Sequence, residues 1–342
     1  MTSPKEKVER NLDFLHEDDP LNMMRVFMKA CLYNQFGPSR VLEIAEVAEP
    51  EPKEQEVQIR LAYAGVNNVD WKIREGYLQA AIPHEFPIIP GWEGSGVVSK
   101  VGPSVRRFKE GDQVYGYFRQ PLVKHGTYAQ FICVHEDLAC HTPKTLSLKQ
   151  SAGIPLTALT AWQALFDFAK LQAHETVFIQ GASGGVGGMA VQFAHWAKGR
   201  VYATSRSENH PYVLQLGADK VFDYTQDDVK AAFFAKAPQG ADVVMDCVGG
   251  NITKESFSLV KKGGRLVSIV DRDVQKLAPP AVEAGFVFVA PNREELNEIS
   301  ALFDHRKLIV PEMVEYSLEE ASKALDLIQS GHVRGKIVLK IS

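Results

Sequence analysis

The sequence predicts an α/β protein of two domains, a compact, partly open β-barrel followed by a doubly wound parallel sheet. Three observations predict it. Between Met28 and Gln150, short runs rich in β-branched and aromatic residues are bounded by Gly, Pro and Asp, as strands joined by turns are. After Gly153, apolar strands alternate with helical spacing, which builds right-handed βαβ units on a sheet covered on both faces. With 342 residues and 45% apolar content, the chain has the length of about two domains and can bury a sizeable core.

Taken in order, residues 1–24 are polar, mixed in charge and aperiodic. They read as a mobile extension, or as residues ahead of an internal start at Met24 or Met28. The barrel strands are EVQIRLAYAGV, GSGVVSKVG, DQVYGYF and YAQFICV. Leu159 to Lys170 (LTAWQALFDFAK) has helical spacing, and TVFIQGA is a buried strand leading into a glycine-rich turn and a second helix, MAVQFAHWAKG. RVYATS, KVFDY, ADVVMDCVG and GRLVSIV follow as strands, and GFVFVA (Gly285 to Ala290) as an edge strand suited to pairing across an interface. Helices around EELNEISALFDHR and SLEEASKALDLIQSG precede a last strand, KIVLKI. Such closing segments return to complete a first barrel, so the first domain is expected to be discontinuous.

The turn GASGGVGG carries the clearest chemistry. It follows a strand and opens a helix, the context in which glycines cradle a pyrophosphate at free helix N–H groups. Gly184, Gly185 and Gly187 provide the close backbone approach, with Ser183 and Val186 between them. Ala182 stands where many dinucleotide folds have the first glycine, which implies a slightly longer turn. The second strand of the unit ends in Ser205 and Arg206 rather than an acid. A hydroxyl and a guanidinium suit a 2′-phosphate, so NADPH is expected over NADH, with Tyr224 as a further contact. Glu208 argues the other way.

Lys plus Arg (38) nearly balance Asp plus Glu (42), with no block of like charge; no nucleic-acid or anionic-membrane partner is expected. No apolar run approaches the length of about 18 residues that spans a bilayer, and no signal peptide is visible, so a cytoplasmic location is expected. The cysteines Cys31, Cys133, Cys140 and Cys247 form no CxxC pair. FICVHEDLACH matches none of the usual zinc spacings, and its cysteines read as small hydrophobes.

Together KACLYNQFGPSRVLEI, AGVNNVDWKIREG, PIIPGWEGSGVV, GDQVYG, GTYAQF, LTALTAW, GASGGVGG, LGADKVFDY and GKIVLKI, in this order, resemble the zinc-free quinone oxidoreductase family of the medium-chain dehydrogenase/reductase superfamily. The resemblance implies a GroES-like catalytic domain over 25–155 completed by 308–342, and a Rossmann NADPH-binding domain over 156–307. In zinc-dependent relatives the places of Asn67, Trp92 and the neighbourhood of Leu156 carry metal ligands. An indole and a leucine side chain offer no lone pair, so no catalytic metal is expected and direct alcohol oxidation loses its Lewis acid.

The resemblance further implies hydride delivery from NADPH to a quinone or an α,β-unsaturated carbonyl. Asn67 is the polar group expected to face substrate and nicotinamide, with Asp70 and Lys72 nearby and Tyr77 as a hydrogen-bond or proton donor. Thr157 and Thr160 are expected at the nicotinamide carboxamide; Val248, Ile269 and Lys336 along the cofactor cleft; and Trp92 and Glu93 as packing and a buried anchor. A homodimer or homotetramer is implied. A 2-enoyl thioester reductase and a catalytically weak NADPH-binding module remain open as alternatives.

Overall fold

A computed structural model describes residues 26–342, so the extension expected over 1–24 lies outside the described residues. The chain opens with a hairpin of β1 (Phe27–Leu32) and β2 (Glu43–Ala48), and continues into β3 (Glu56–Val66), α1 (Asn68–Arg74), β4 (Glu93–Val101), β5 (Gln113–Tyr117), β6 (Phe131–His135) and β7 (Ala139–His141). Antiparallel pairing joins β3 to β4 and β6, and β4 to β5. Alternate residues of these strands (Val57, Ile59, Leu61, Val98, Val114, Ile132 and Val134) are buried together as the barrel core. Period-two alternation with one solvated face produces this pattern.

Two helices, α2 (Leu148–Ala152) and α3 (Pro155–Trp162), lead to β8 (Thr176–Ile179), α4 (Gly185–Trp196), β9 (Arg200–Ser205), α5 (His210–Gln215), β10 (Lys220–Asp223), α6 (Val229–Phe234), β11 (Ala241–Asp246), α7 (Asn251–Ser256), β12 (Val260–Ser268) and β13 (Glu283–Phe286). These strands form one sheet in the order β10-β9-β8-β11-β12-β13, parallel throughout. Val177 and Ile179 face Met189 and Phe193 on α4, while Phe178 faces Phe222 and Phe233 on the other side. The sequence order reverses between β8 and β11, and a ligand crevice is expected beyond the C-terminal ends of those strands.

The end of the chain adds α8 (Arg293–Asp304), β14 (Met313–Ser317), α9 (Ala321–Gln329) and β15 (Lys336–Lys340). β15 pairs antiparallel with β3, Ile337 opposite Val66, so the last strand joins the first sheet. Two sequence expectations are corrected. The helix expected over 159–170 is α-helical only to Trp162; Gln163–Phe168 is π-helical, and Ala169 N–H reaches back to Ala164 O at 3.1 Å. GFVFVA is an edge strand only as far as Phe286, because the chain then turns so that Phe286 to Val289 line a cleft.

Candidate active site

Between the two sheets lies a cleft of about 600 Å³, bounded by Asn67, Lys72 and Tyr77 on one wall and by Gly184 to Gly187 on the other. The glycine turn sits there because β8 ends at Ile179 and Gly181 takes φ +70° to reverse the chain, a backbone region that an L side chain rarely occupies. A Cβ on Gly187 would run into Gly181 O, and one on Gly185 would meet Lys336 Cδ at 2.8 Å. The turn is therefore bare backbone at the start of a 12-residue helix. The first N–H groups of such a helix have no intrahelical acceptor and are free for an anion. Gly335 N–H donates to Ser183 O at 2.9 Å, which ties the segment before β15 to this turn.

Beside the turn is a buried network that the sequence showed only in parts. Lys336 and Glu93, 2% and 0% exposed, form an ion pair at 2.8 Å. The ammonium also donates to Asn67 Oδ1 at 2.6 Å and Val66 O at 3.1 Å. Glu93 Oε1 accepts from Asn67 Nδ2 at 2.7 Å, and its Oε2 accepts from Leu156 N–H at 2.7 Å. All three ammonium protons are thus used, and the Asn67 carboxamide is fixed with oxygen toward Lys336 and nitrogen toward Glu93. Nδ2 carries two protons. One goes to Glu93; the other is left for whatever occupies the cleft that Asn67 lines. A Cβ on Gly65 would collide with Glu93 Oε1, so the strand entering this corner must be bare there.

Asp70 is not in the cleft, which corrects its expected place among the catalytic groups. It is buried behind Asn67, where its Oδ2 accepts from Asn67 N–H at 2.8 Å and Tyr128 Oη–H at 3.1 Å. Its position at the third residue of α1's first turn aims the carboxylate back at the start of the helix, away from the cleft. Burial pushes its pKa up to about 7 despite these hydrogen bonds. Lys72 and Tyr77 do line the cleft. The Lys72 ammonium lies 5.7 Å from the Trp71 ring centroid, and Tyr77, 69% exposed at the rim, packs edge-on against the same indole.

On the cofactor side, Thr157, Thr160, Ile269 and Lys336 line the cleft with Gly184, Gly185, Val186 and Gly187. The Thr160 hydroxyl donates to Leu156 O at 2.6 Å and that of Thr157 to Ile154 O at 3.2 Å. Their protons are committed to the helix, so toward a ligand they act as acceptors. Ala182 is fully buried beneath the turn, its N–H bonded to Thr204 O at 3.0 Å; it is a floor rather than a contact. Cys247, not Val248, lines the cleft, because Val248 is half exposed beside Gly181.

At the end of β9, Arg206 Nε donates to Tyr224 Oη at 3.2 Å, so these two predicted residues are brought together. Ser205 is instead buried, with its hydroxyl directed to Arg206 O. Asp223, paired opposite Ser205, accepts from Ser207 N–H and from the Thr225 hydroxyl and N–H. The Thr225 contacts lead in holding its carboxyl down at about 2. It ties the two loops that carry Arg206 and Tyr224. Three further lining residues had no sequence signal as site groups: Arg272, Phe286 and Phe288, which follow a strand end or lie in the run first read as an edge strand; Arg119 packs on Phe288 from outside the lining.

The residues do not fit a catalytic metal. Asn67 Oδ1, the one donor among the three expected ligand places, is held by an ammonium, and among the described residues no group of three or more His, Cys, Asp or Glu could hold an ion. They do fit a dinucleotide at the bare turn. A barrel sheet closed by the last strand, a parallel sheet with one reversal of order and a glycine turn at that reversal define an oxidoreductase of the medium-chain dehydrogenase/reductase superfamily.

Comparison with known proteins narrows the class. Residues 53–144 match the alcohol dehydrogenase GroES-like domain and residues 216–339 the zinc-binding dehydrogenase family. The chain is 32% identical over 322 residues to a 2-methylene-furan-3-one reductase of Solanum lycopersicum, covering 91% of this chain and 79% of that one. It is 30% identical, with the same coverage, to an NADPH-dependent alkenal/one oxidoreductase of Arabidopsis thaliana. The solved quinone oxidoreductase of Coxiella burnetii superposes with a TM-score of 0.83 at 31% identity, over 93% of this chain and all of that one. The chain belongs to the quinone oxidoreductase family of this superfamily.

Proposed function

We infer that this chain is an NADPH-dependent oxidoreductase that delivers a hydride to an electron-poor acceptor, a quinone or an α,β-unsaturated carbonyl. The observation that carries this reading is the Asn67 carboxamide, locked by Glu93 and Lys336, with its second N–H unclaimed by either, in the lining of the cleft that also holds the glycine turn. NADPH, when bound, supplies the hydride. The chain supplies alignment and a preorganised donor for negative charge developing on the acceptor oxygen. Lys336 offers no free proton, and its charge is balanced by Glu93. The site therefore polarises a carbonyl only mildly, which suits acceptors that are already activated.

Arg206 and Tyr224 support NADPH over NADH, as their hydrogen-bonded pair offers a guanidinium and a phenol to a 2′-phosphate. A cytoplasmic homo-oligomer formed through the β13 edge completes the proposal. The test is NADPH consumption by chelator-treated protein against quinones, 2-alkenals and cyclic enones. Turnover is expected on at least one class. NADPH binding with no turnover on any of them would overturn the enzymatic reading.

A further inference from the structure

One end of the cleft is lined by two cations that no carboxylate answers, Lys72 and Arg272, and a third, Arg119, packs against the lining rings of Trp92 and Phe288. Lys72 on α1, Arg119 just after β5 and Arg272 on the loop after β12 take part in no ion pair among the described residues, whereas Lys336 and Arg334 nearby are paired with Glu93 and Glu312. The three are held in place by aromatic rings. The Arg119 guanidinium lies 4.6 Å from the Phe288 ring centroid and 5.6 Å from that of Trp92, and Arg272 lies 5.9 Å from both Phe286 and Phe288. Arg119 Nη1 also donates to Val289 O at 3.2 Å. Aromatic faces and a carbonyl orient a cation but do not cancel its charge.

Lys72 and Arg272 both line the cleft, one from α1 and one from the loop after β12, and they sense one another. Burial first, and then the charge of Arg272, hold the Lys72 ammonium below the ordinary lysine range. Like charges brought together in this way raise the energy of the free cleft, and an anion between them relieves it. The cofactor's phosphates have partners elsewhere: the glycine turn follows β8, and Arg206 follows β9. Arg272 follows β12, on the other side of the strand-order reversal.

Resting on the reductase reading above, we propose that Lys72 and Arg272, with Arg119 held on the adjoining aromatic wall, form an anion site and that the acceptor reduced in this cleft is a small enone bearing a carboxylate. For 4-oxo-2-pentenoate, one hydride is added at the carbon β to the ketone and one proton at the α carbon. The C=C bond becomes a single bond, and NADPH is oxidised to NADP+. The carboxylate takes no part in the redox step and serves to anchor and orient the enone.

The test compares 4-oxo-2-pentenoate with its methyl ester, which keeps the enone and removes the charge. The acid should be favoured in kcat/KM by about tenfold or more at low salt, as one charge-assisted contact implies, and the ratio should fall as salt rises. Arg272→Gln and Lys72→Met should each move the ratio toward one, with Arg272→Lys retaining more of it. A readout without turnover is calorimetric binding of levulinate against 2-pentanone to the NADP+-loaded protein, where levulinate should bind more tightly.

Equal use of acid and ester would overturn the inference and leave the reductase reading intact. A preference for crotonyl-CoA over both would assign the cations to carrier phosphates and also overturn it. So would variants that weaken NADP+ binding as much as levulinate binding. If neither acid nor ester were reduced while quinones, 2-alkenals or cyclic enones were, the acidic-enone acceptor would be overturned and the reductase reading would stand; no turnover on that panel either would overturn the reductase reading itself.

Discussion

The Glu93–Lys336 pair allows a quantitative test of how the site is built. Lys336→Met removes an ammonium that makes three hydrogen bonds at 2.6, 2.8 and 3.1 Å, leaving Glu93 charged and fully buried. Breaking one side of a buried pair costs about 3–5 kcal/mol, since the survivor keeps its desolvation penalty. Glu93→Gln should cost a similar amount. The new amide oxygen can still accept from Leu156 N–H, but its NH2 then faces two other donors, Asn67 Nδ2 and the ammonium. In the double variant both charges are gone. The Asn67 carboxamide is no longer held by Lys336 and can turn over to accept from the introduced amide, so the loss should shrink to about 1–3 kcal/mol. The single-variant losses should therefore exceed additivity by at least about 2 kcal/mol in urea melts, with each single variant lowering Tm by roughly 6 °C or more. Additive losses, or single-variant losses below about 1 kcal/mol, would refute the view that charge balance holds this corner together.

The remaining expectations concern separate parts of the site. Asp70, raised by burial from 3.8 to about 7, keeps its proton in the folded state at pH values where the unfolded chain has lost it. Its contribution is full below about pH 4 and is lost as pH rises toward about 7, by up to about 4 kcal/mol. Asp70→Asn should thus gain stability relative to the parent across that window, and denaturation profiles that stay parallel from pH 4.5 to 8 would contradict this. Arg206→Ala should weaken NADPH binding by roughly 10–100-fold, the worth of hydrogen bonds to a charged group, and leave NADH binding little changed in fluorescence titrations. Asn67→Ala should lower kcat by about 100-fold or more, as loss of a preorganised donor does, while NADPH still protects the protein against thermal unfolding. A kcat within about threefold of the parent would remove Asn67 from the chemistry. Gly187→Ala should abolish NADPH binding, because its Cβ meets Gly181 O.

The fold was legible because its signals are local. Apolar four- to nine-residue strands alternating with helices, and a glycine turn between TVFIQ and MAVQFAHW, each depend on neighbours in sequence. The meeting of Arg206 and Tyr224 could be foreseen for a related reason, since parallel strands place the residues after β9 and β10 side by side. What could not be read was direction. Asp70 and Lys72 are two apart on one short helix, and nothing in the sequence says that the carboxylate turns inward to Tyr128 while the ammonium turns to the cleft. Lys336 shows the same limit, since its partners Glu93 and Asn67 lie 243 and 269 residues away. A buried lysine in an apolar strand is legible only as an anomaly that needs a partner.

The network also explains what replaces the metal of the zinc-dependent relatives. A divalent ion there would be a strong Lewis acid with an open coordination position. In this chain an ammonium stands against Asn67 Oδ1, and its charge is cancelled by a carboxylate 2.8 Å away. No strong positive field reaches the acceptor from this corner; a single amide N–H does. Such a donor stabilises an enolate or hydroquinone oxygen that already shares its charge over a conjugated system, but gives too little to drive hydride onto an isolated ketone. The unbalanced positive charge of the cleft lies instead with Lys72 and Arg272, with Arg119 on the adjoining aromatic wall, apart from the buried pair. Activation and recognition are thereby assigned to different groups. With that division, Asn67 variants should lower kcat for acidic and neutral enones alike, whereas Arg272 variants should act mainly on the KM of the acids.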